Sequence, residues 1–376
     1  MYIEEGRIKM FRKHKPLKVA LDCDDVLVPC IELAMQIQNK KLKFDPPMTI
    51  DEITAWSPTG TRSDCILECF NSPSFFKKQK PYDGAQDFVR KLCEKAEVYI
   101  MTAVPVCAMG VRAEMIKKYF PEISDDHIIL TKSKDLVNID VLLDDAPHNI
   151  LNSSASFPVV MKRPWNNSLS GMLSVNTYDE FLMLIDTILN RFNEVEVDSS
   201  VSNIIAMTGV SGSGKSFIAQ KLVETGKFQQ PSSYTDRPRR DKNETYNFVT
   251  TEEFNELKKN GEILESTVYA GHNYGSSKTM IQKILDSGKN VVIPIDICGA
   301  LNLKTNFPNV ITVFVERDKR KIVEAILKRK CSDEDKVNRI MSIEAEMKNA
   351  EICDYILDNN RDIDDVLDEL ENFLGF

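Results

Sequence analysis

The first half of the chain alternates short apolar runs with amphipathic segments. The runs LKVAL, VYIM, HIIL, DVLLD and PVVM are rich in branched side chains, as buried strands are. Segments between them, such as AQDFVRKLCEK and MGVRAEMIKKYF, place apolar residues at helical spacing. Because strands that alternate with helices pair in parallel, the pattern predicts a doubly wound α/β layer.

Residues 29–80 interrupt this alternation with helical and irregular sequence that carries several aromatic side chains. We interpret them as a small helical cap, inserted after the first strand at the sheet edge where α/β folds bind ligands. Polar sequence later precedes the apolar run NIIAMTG, which starts a second parallel α/β unit. The predicted domains are residues 1–193 and 203–376, joined by a linker at 194–202.

Composition limits the classes of function that this chain can have. The 376 residues suit two domains, and 42% hydrophobic with 28% charged residues is typical of a globular protein in water. The net charge of -9 argues against a nucleic-acid partner, which is itself negatively charged. We find no apolar stretch of membrane-spanning length, no secretory signal and no CxxC pair among the nine cysteines. The expected location is cytoplasmic, and the oligomeric state stays open.

Carboxylates follow two of the apolar runs directly. Asp22 and Asp24 come after LKVAL, and residues two apart on a strand point the same way. Asp144 and Asp145 end the run DVLLD. Oxygen ligands from two neighbouring strand ends suit Mg²⁺, so the sequence predicts a magnesium site there.

A hydroxyl group and two ammonium groups follow other runs. Thr102 ends VYIMT, and Lys132 and Lys134 follow HIIL. Together with a carboxylate nucleophile and a metal, these groups are typical of phosphate transfer. The alternative is that each aspartate is an ordinary cap or turn residue. Four segments with such side chains follow one another along the chain, and each lies at a predicted strand end. This arrangement favours a phosphate-transfer site over the alternative.

The segments DCDDVL, MTAVP, the lysine after ILT, and LLDDAP resemble the four motifs of the haloacid dehalogenase superfamily. The run PSFFKKQKPYDGA more narrowly resembles the 5'(3')-deoxyribonucleotidases, and the likeness covers about residues 16–165. It implies that Asp22 is a nucleophile that becomes an aspartyl-phosphate and that Asp24 is the acid/base. Thr102 and Lys134 would hold the transferring phosphoryl group, with Lys132 as the competing lysine.

The same resemblance implies that Asp22, Asp144 and the backbone carbonyl of Asp24 hold Mg²⁺. One departure is Asp25, where these nucleotidases carry glycine; an extra acid beside the metal would alter its affinity. Aromatic side chains of the cap could stack on a nucleobase or form a small core, and both readings stay open. They are Trp56, Phe75 and Phe76.

The second unit opens on a strand, a glycine-rich loop and a helix, NIIAMTG-VSGSGKSFIAQKLVE. The pattern GxxxxGKS binds nucleotide phosphates through backbone amides and the positive helix N-terminus. Lys215 would reach the β- and γ-phosphates of ATP, and Ser216 would contact a second Mg²⁺. The predicted ATP-binding residues are Gly209, Ser211, Gly212, Ser213, Gly214, Lys215 and Ser216.

The rest of the second unit resembles guanylate kinases, in order, over about residues 202–376. The matching segments include SSYTDRPRR, ETYNFVTTEEF, GEILESTVYAGHNYGSS and SGKNVVIPIDICG. By position, the resemblance implies that four side chains hold the substrate monophosphate, namely Arg237, Arg240, Tyr246 and Tyr274. Four others fall where the family reads guanine, namely Ser233, Glu265, Ser276 and Asp296.

The charged segment KRKCSDEDKVNR resembles the lid of these kinases. Arg329 and Arg339 would close on the transferring phosphoryl group, whose negative charge they would stabilise. The alternative is a solvated helix face. The chain departs from the family in a short loop after Arg240, in Pro294, which replaces an acid, and in Ile326 at a lid arginine position.

These motifs together predict a bifunctional enzyme that acts on small-molecule nucleotides. One half would hydrolyse (deoxy)nucleoside monophosphates, and the other would phosphorylate a monophosphate, GMP or dGMP, with ATP. A first alternative is repair of polynucleotide ends, because some repair proteins also join a phosphatase to a P-loop kinase. A second is that the kinase-like half only binds a partner, although its ATP loop is complete.

Overall fold

The computed structural model describes residues 16–56, 61–167, 169–191, 197–239, 246–269 and 272–375. The chain divides into two compact units, Met1–Asn193 and Glu194–Phe376. Arg240, one of the residues predicted to hold the monophosphate, lies outside the described residues, as do residues 194–196 of the predicted linker. None of the helices described here combines the length and the apolar character needed to cross a membrane.

The first unit is built on a parallel sheet with the order β3-β2-β1-β4-β5-β6. Its strands are β1 (Lys18–Leu21), β2 (Glu97–Thr102), β3 (Ile128–Leu130), β4 (Val141–Asp144), β5 (Phe157–Met161) and β6 (Ser174–Val175). Each predicted apolar run corresponds to one strand, with bounds that differ by one residue at most. Leu21 lies opposite Ile100 on one side and Leu143 on the other, so the three central strands end together.

The helices of the first unit flank this sheet, except for two that belong to the cap. They are α1 (Ile31–Leu42), α2 (Pro73–Phe76), α3 (Ala85–Cys93), α4 (Met109–Tyr119), α5 (Pro147–Asn152) and α6 (Tyr178–Asn190). The cap consists of α1, α2 and the 3₁₀ helices Ile50–Glu52 and Arg62–Asn71. Its own apolar cluster packs against Val104, Ala108 and Trp165 of the sheet domain.

The cap aromatics divide into two groups. Phe75 and Phe76 are each 3% exposed and pack in the cap cluster, whereas Trp56 is 41% exposed. The Trp56 ring lies 5.4 Å from His148 and 6.4 Å from Trp165. The two phenylalanines are therefore core residues, and of the three only Trp56 is accessible for stacking on a base.

We expect Phe75→Ala to lower the free energy of unfolding of the first unit by about 3 to 5 kcal/mol, because it leaves a cavity in the cap cluster. Trp56→Ala is the control and should cost about 1 kcal/mol or less. Both tryptophans of the chain lie in the first unit, so tryptophan fluorescence during urea unfolding reports on this unit selectively. Equal costs for the two variants would contradict the assignment of Phe75 to the core.

The second unit contains a parallel sheet of order β15-β14-β7-β13-β8 and a four-stranded sheet of order β10-β9-β12-β11. Its strands are β7 (Ile204–Thr208), β8 (Phe228–Gln229), β9 (Ser233–Thr235), β10 (Asn247–Phe248), β11 (Ile263–Tyr269), β12 (His272–Ser277), β13 (Asn290–Pro294), β14 (Val310–Glu316) and β15 (Tyr355–Asp358). The parallel sheet confirms the predicted α/β class. The four-stranded sheet is mixed, since β12 runs antiparallel to both of its neighbours.

The described residues of the second unit contain eight α-helices. They are α7 (Lys215–Glu224), α8 (Thr251–Lys259), α9 (Lys278–Asp286), α10 (Ile297–Asn306), α11 (Lys319–Leu327), α12 (Asp333–Met341), α13 (Ile343–Met347) and α14 (Ile363–Phe373). One apolar cluster joins the sheet to α7 and α14, and a second joins it to α9 and α10. Helices on both faces of the sheet leave its carboxyl edge as the place for a ligand.

Candidate active sites

Three buried carboxylates meet at the carboxyl edge of the first sheet. Asp22, Asp144 and Asp145 each offer an oxygen, and these oxygens all lie within 4.8 Å of one another. The backbone explains the meeting, because β1 and β4 are neighbours and the Asp22 amide donates to the Leu143 carbonyl at 2.8 Å. Asp145, which sequence reasoning placed at the strand end but not among the metal ligands, belongs to this cluster.

Lys134 bridges two of these carboxylates. Its Nζ lies 2.8 Å from Asp22 Oδ1 and 2.6 Å from Asp144 Oδ2, and the side chain is 2% exposed. Burial disfavours the ammonium charge, but Asp22 and Asp144 outweigh this, so the pKa of Lys134 is raised. Lys132 is exposed. The structure thus brings Lys134, and not Lys132, to the carboxylates.

The charges of the carboxylate cluster suit a divalent cation. Burial raises the pKa of Asp22 to about 7; Asp144 and Asp24 act in the same direction, and Lys134 opposes them. Burial likewise holds the pKa of Asp145 well above its ordinary range. Lys134 pairs with two of the three buried carboxylates, and a hard cation with oxygen ligands would balance the remaining negative charge. The residues therefore fit Mg²⁺.

Two buried oxygens beside this cluster have no hydrogen-bond partner within the described part of the chain. They are Thr102 Oγ1 and Asp145 Oδ1. The other oxygen of Asp145 accepts from Trp165 Nε1 at 2.8 Å. A buried polar atom without a partner is costly, so such atoms mark places where a ligand or ion completes the bonding. A hydroxyl such as that of Thr102 can donate to a ligand oxygen, and a carboxylate oxygen such as Asp145 Oδ1 can bind a cation.

Asp24 lies next to this cluster but has different partners. Arg112 Nη2 donates to both of its carboxylate oxygens, at 2.7 and 2.8 Å, and Gln79 Nε2 donates to Oδ1 at 2.8 Å. Sequence reasoning missed Arg112 and Gln79. A signal was present for Arg112, since it shares the buried face of α4 with Met115 and Ile116.

Asp25 has a role of its own. Its carboxylate accepts from the amides of Cys30 and Ile31 at the start of α1, at 2.9 and 3.1 Å. Its φ of 56° is left-handed, which explains why glycine suits this position; aspartate tolerates it better than most residues. Asp25 is not one of the three cluster carboxylates. Its side chain organises the first turn of the cap helix.

The glycine-rich loop of the second unit follows β7. Gly209, Gly212 and Gly214 have φ of 135°, 93° and 103°. A Cβ at Gly209 would come 2.7 Å from the Val315 carbonyl oxygen, so no other residue fits without a backbone shift. Ser213 is buried, and its Oγ has no partner among the described residues. Ser216 is exposed in the first turn of α7, where it can reach a bound ion.

Lys215 folds back over this loop. Its Nζ donates to the carbonyls of Gly209 and, at 3.0 Å, Val210. Burial lowers the pKa of Lys215 to about 8; Arg329 and Arg339 act in the same direction, while Glu346 and Asp296 oppose them. Arg329 and Arg339 of the predicted lid, and Asp296 after β13, therefore lie close enough to Lys215 to act on its charge.

The predicted lid residues lie at the loop. Arg339, on α12, donates from Nη1 to Ser211 Oγ at 3.0 Å, and Arg329 follows the last turn of α11. Sequence reasoning missed Arg317, whose Nη1 donates to the Gly212 carbonyl at 3.0 Å. Ile326, at a lid arginine position of the family, is fully buried.

A cluster of cationic and aromatic side chains lies on the mixed sheet. Arg237 Nε donates to the Tyr274 hydroxyl at 3.2 Å, and the Arg237 guanidinium lies 5.6 Å from the Tyr246 ring. The Tyr246 and Tyr274 rings are 5.7 Å apart. Arg237 itself is 5% exposed. The structure thus brings together three of the four residues predicted to hold the monophosphate.

The predicted guanine-reading residues are arranged on neighbouring elements. Ser233 of β9 pairs directly with Ser276 of β12. Asp296 follows β13 and caps α10, where its Oδ1 accepts from the Gly299 amide at 2.8 Å. Glu265 lies on β11, and its side chain is outside the described part of the structure.

Comparison with known proteins matches the two halves to two families. The model of guanylate kinase matches residues 201–375, and that of 5' nucleotidase, deoxy (pyrimidine), cytosolic type C protein matches residues 15–191. The guanylate kinase of Paraburkholderia xenovorans is 33% identical over 175 residues, which covers 45% of this chain and 77% of that protein. That of Helicobacter pylori is 33% identical over 165 residues, covering 42% and 79%. The guanylate kinase structure from Anaplasma phagocytophilum is 25% identical, covers 47% of this chain and 86% of that one, and has a TM-score of 0.37.

Proposed function

We propose that this chain carries out two reactions, one in each unit. By its C-terminal half the chain belongs to the guanylate kinase family, and its N-terminal half matches a deoxynucleotidase family. The first unit would hydrolyse (deoxy)nucleoside monophosphates, and the second would convert a monophosphate, GMP or dGMP, to the diphosphate with ATP. The observation that carries this proposal is that each unit holds its own set of phosphoryl-transfer groups. Asp22 with Lys134 forms one set, and the loop with Lys215 forms the other.

In the first unit, Asp22 attacks the phosphorus of a nucleoside monophosphate and forms an aspartyl-phosphate. The bond to the nucleoside oxygen breaks, and Asp24 gives that oxygen a proton. Asp24 then takes a proton from the water that hydrolyses the aspartyl-phosphate. Thr102 and Lys134 hold the phosphoryl oxygens during both steps.

Asp22, Asp144 and Asp145 would hold Mg²⁺ in this unit, because their oxygens converge and Asp145 Oδ1 has no partner in the described part of the chain. The ion would neutralise charge on the phosphoryl group. Asp144 is kept in place by the Ala146 amide at 2.9 Å and by Asn149 Nδ2 at 3.0 Å. The carboxylates are thus oriented by the protein itself.

In the second unit, the backbone amides after Gly209 and the N-terminus of α7 bind the phosphates of ATP. An oxygen of the acceptor monophosphate attacks the γ-phosphorus, and ADP leaves. Lys215 follows the transferring group, while Arg329 and Arg339 stabilise its charge and exclude water. Ser216 would hold the Mg²⁺ that accompanies ATP.

We expect Arg237→Lys to raise the KM for the acceptor monophosphate by about 10- to 100-fold, since a lysine cannot replace the two-pronged contact of a guanidinium. The measurement is steady-state kinase activity with varied GMP at saturating ATP. Arg320→Lys, an exposed position on α11, is the matched control and should leave both constants unchanged. An unchanged KM in Arg237→Lys would remove Arg237 from the acceptor site.

The proposal is tested by incubating the purified chain and Mg²⁺ with each common ribo- and deoxyribonucleoside monophosphate, with and without ATP. We expect phosphate release from some of them without ATP, and ATP-dependent diphosphate from GMP or dGMP. Turnover of phosphorylated DNA ends, with none of free nucleotides, would instead favour end repair. Nucleotide binding without ATP turnover would make the second unit a binding module.

A further inference from the structure

The side chain of Arg112 is fully buried in the first unit. It makes an ion pair with Asp24 at 2.7 Å, and its other terminal nitrogen lies 2.6 Å from the Cys23 thiol. A buried guanidinium is strongly unfavourable unless a partner compensates it. The phosphatase steps described above leave this group without a role, although it contacts the side chain to which we assign proton transfer.

Asp24 is held from several elements at once. Arg112 comes from α4, whereas Gln79, which donates to Asp24 Oδ1 at 2.8 Å, comes from the end of the cap. The Phe76 ring of the cap packs 5.3 Å from the Arg112 guanidinium. Sheet domain and cap therefore fix one orientation of this carboxylate.

Two cationic side chains pair with different carboxylates of this site. Lys134 binds Asp22 and Asp144, and Arg112 binds Asp24. We infer that Arg112 is a positioning residue that holds Asp24 in the orientation from which it gives its proton to the leaving oxygen. This inference rests on the proposed phosphatase function. Arg112 acts through Asp24, and its own side chain is fully buried.

The test compares two aryl phosphates that differ in their need for a proton. Nitrophenolate leaves without protonation, whereas phenolate requires an acid. We expect Arg112→Gln to lower kcat/KM for phenyl phosphate by about 100-fold and that for p-nitrophenyl phosphate by about threefold or less. The ratio kcat/KM covers only the steps up to the first phosphoryl transfer, so later hydrolysis of the aspartyl-phosphate does not affect it.

Three further variants complete the test. Asp24→Asn should show the same selective loss, and Arg112→Lys should recover about tenfold of it by keeping a cation near Asp24. Arg191→Gln is the matched control, because Arg191 also packs on a phenylalanine, Phe157, at 4.9 Å. It should leave both esters unaffected.

Retained turnover of p-nitrophenyl phosphate shows that the site of Arg112→Gln is folded. If Arg112→Gln and Arg112→Lys both lose activity equally on the two esters, or lose none, the inference is overturned. Turnover of both esters by the wild-type chain without turnover of any nucleotide would refute the proposed nucleotidase. The comparison of esters would still decide the role of Arg112, so the two failures are distinguishable.

Discussion

Asp22→Asn should lower phosphatase activity by at least about 10⁴-fold, because the amide cannot form the aspartyl-phosphate. Asparagine matches aspartate in size and still offers an oxygen to Lys134, so the fold of the first unit should persist. Kinase activity should be unchanged. Phosphate release without ATP and diphosphate formation with ATP are measured on the same preparation.

The control for this variant is Asp135→Asn, an exposed carboxylate next to Lys134 in sequence. It removes the same charge and should leave both activities unchanged. Phosphatase activity within tenfold of wild type in Asp22→Asn would mean that another group is the nucleophile. Loss of both activities would contradict the assignment of one independent site to each unit.

The sequence predicted the candidate site well where polar side chains stand at the ends of predicted strands. The parallel direction of β1, β2 and β4 follows from apolar runs separated by helices, and the pairing of β1 with β4 brings Asp22 and Asp144 together. The same logic could not choose between Lys132 and Lys134, since both follow β3 within four residues. The choice depends on the 3₁₀ turn Lys134–Leu136, which buries one side chain and exposes the other.

Other features depended on tertiary contacts that a local pattern does not carry. Three of the four strands of the mixed sheet, β9, β10 and β12, are short or polar, so no apolar run marked them. Arg112 lies on the buried face of α4, but its pairing with Asp24, 88 residues earlier, is a tertiary contact. The sequence left open whether Phe75 and Phe76 are core residues or stack on a nucleobase. The packing of the cap shows that they are core residues.

Lys215→Ala should lower ATP-dependent phosphorylation by at least about 10³-fold, because the ammonium is the group that follows the transferring phosphoryl charge. In the structure this ammonium is already at the loop, where it donates to the Gly209 and Val210 carbonyls. Phosphatase activity should be unchanged. The measurement is diphosphate formation from GMP, with phosphate release from a nucleotide substrate as the internal reference.

Lys221→Ala is the matched control, since Lys221 lies on the same helix and pairs with Glu224 at 2.7 Å on the exposed surface. An exposed pair of this kind contributes little to stability, so this variant should keep full activity in both assays. Near-normal kinase activity in Lys215→Ala would mean that ATP does not bind at the loop. If it lost phosphatase activity as well, the two units would have to be coupled, and the double assay of Asp22→Asn would show the reverse coupling.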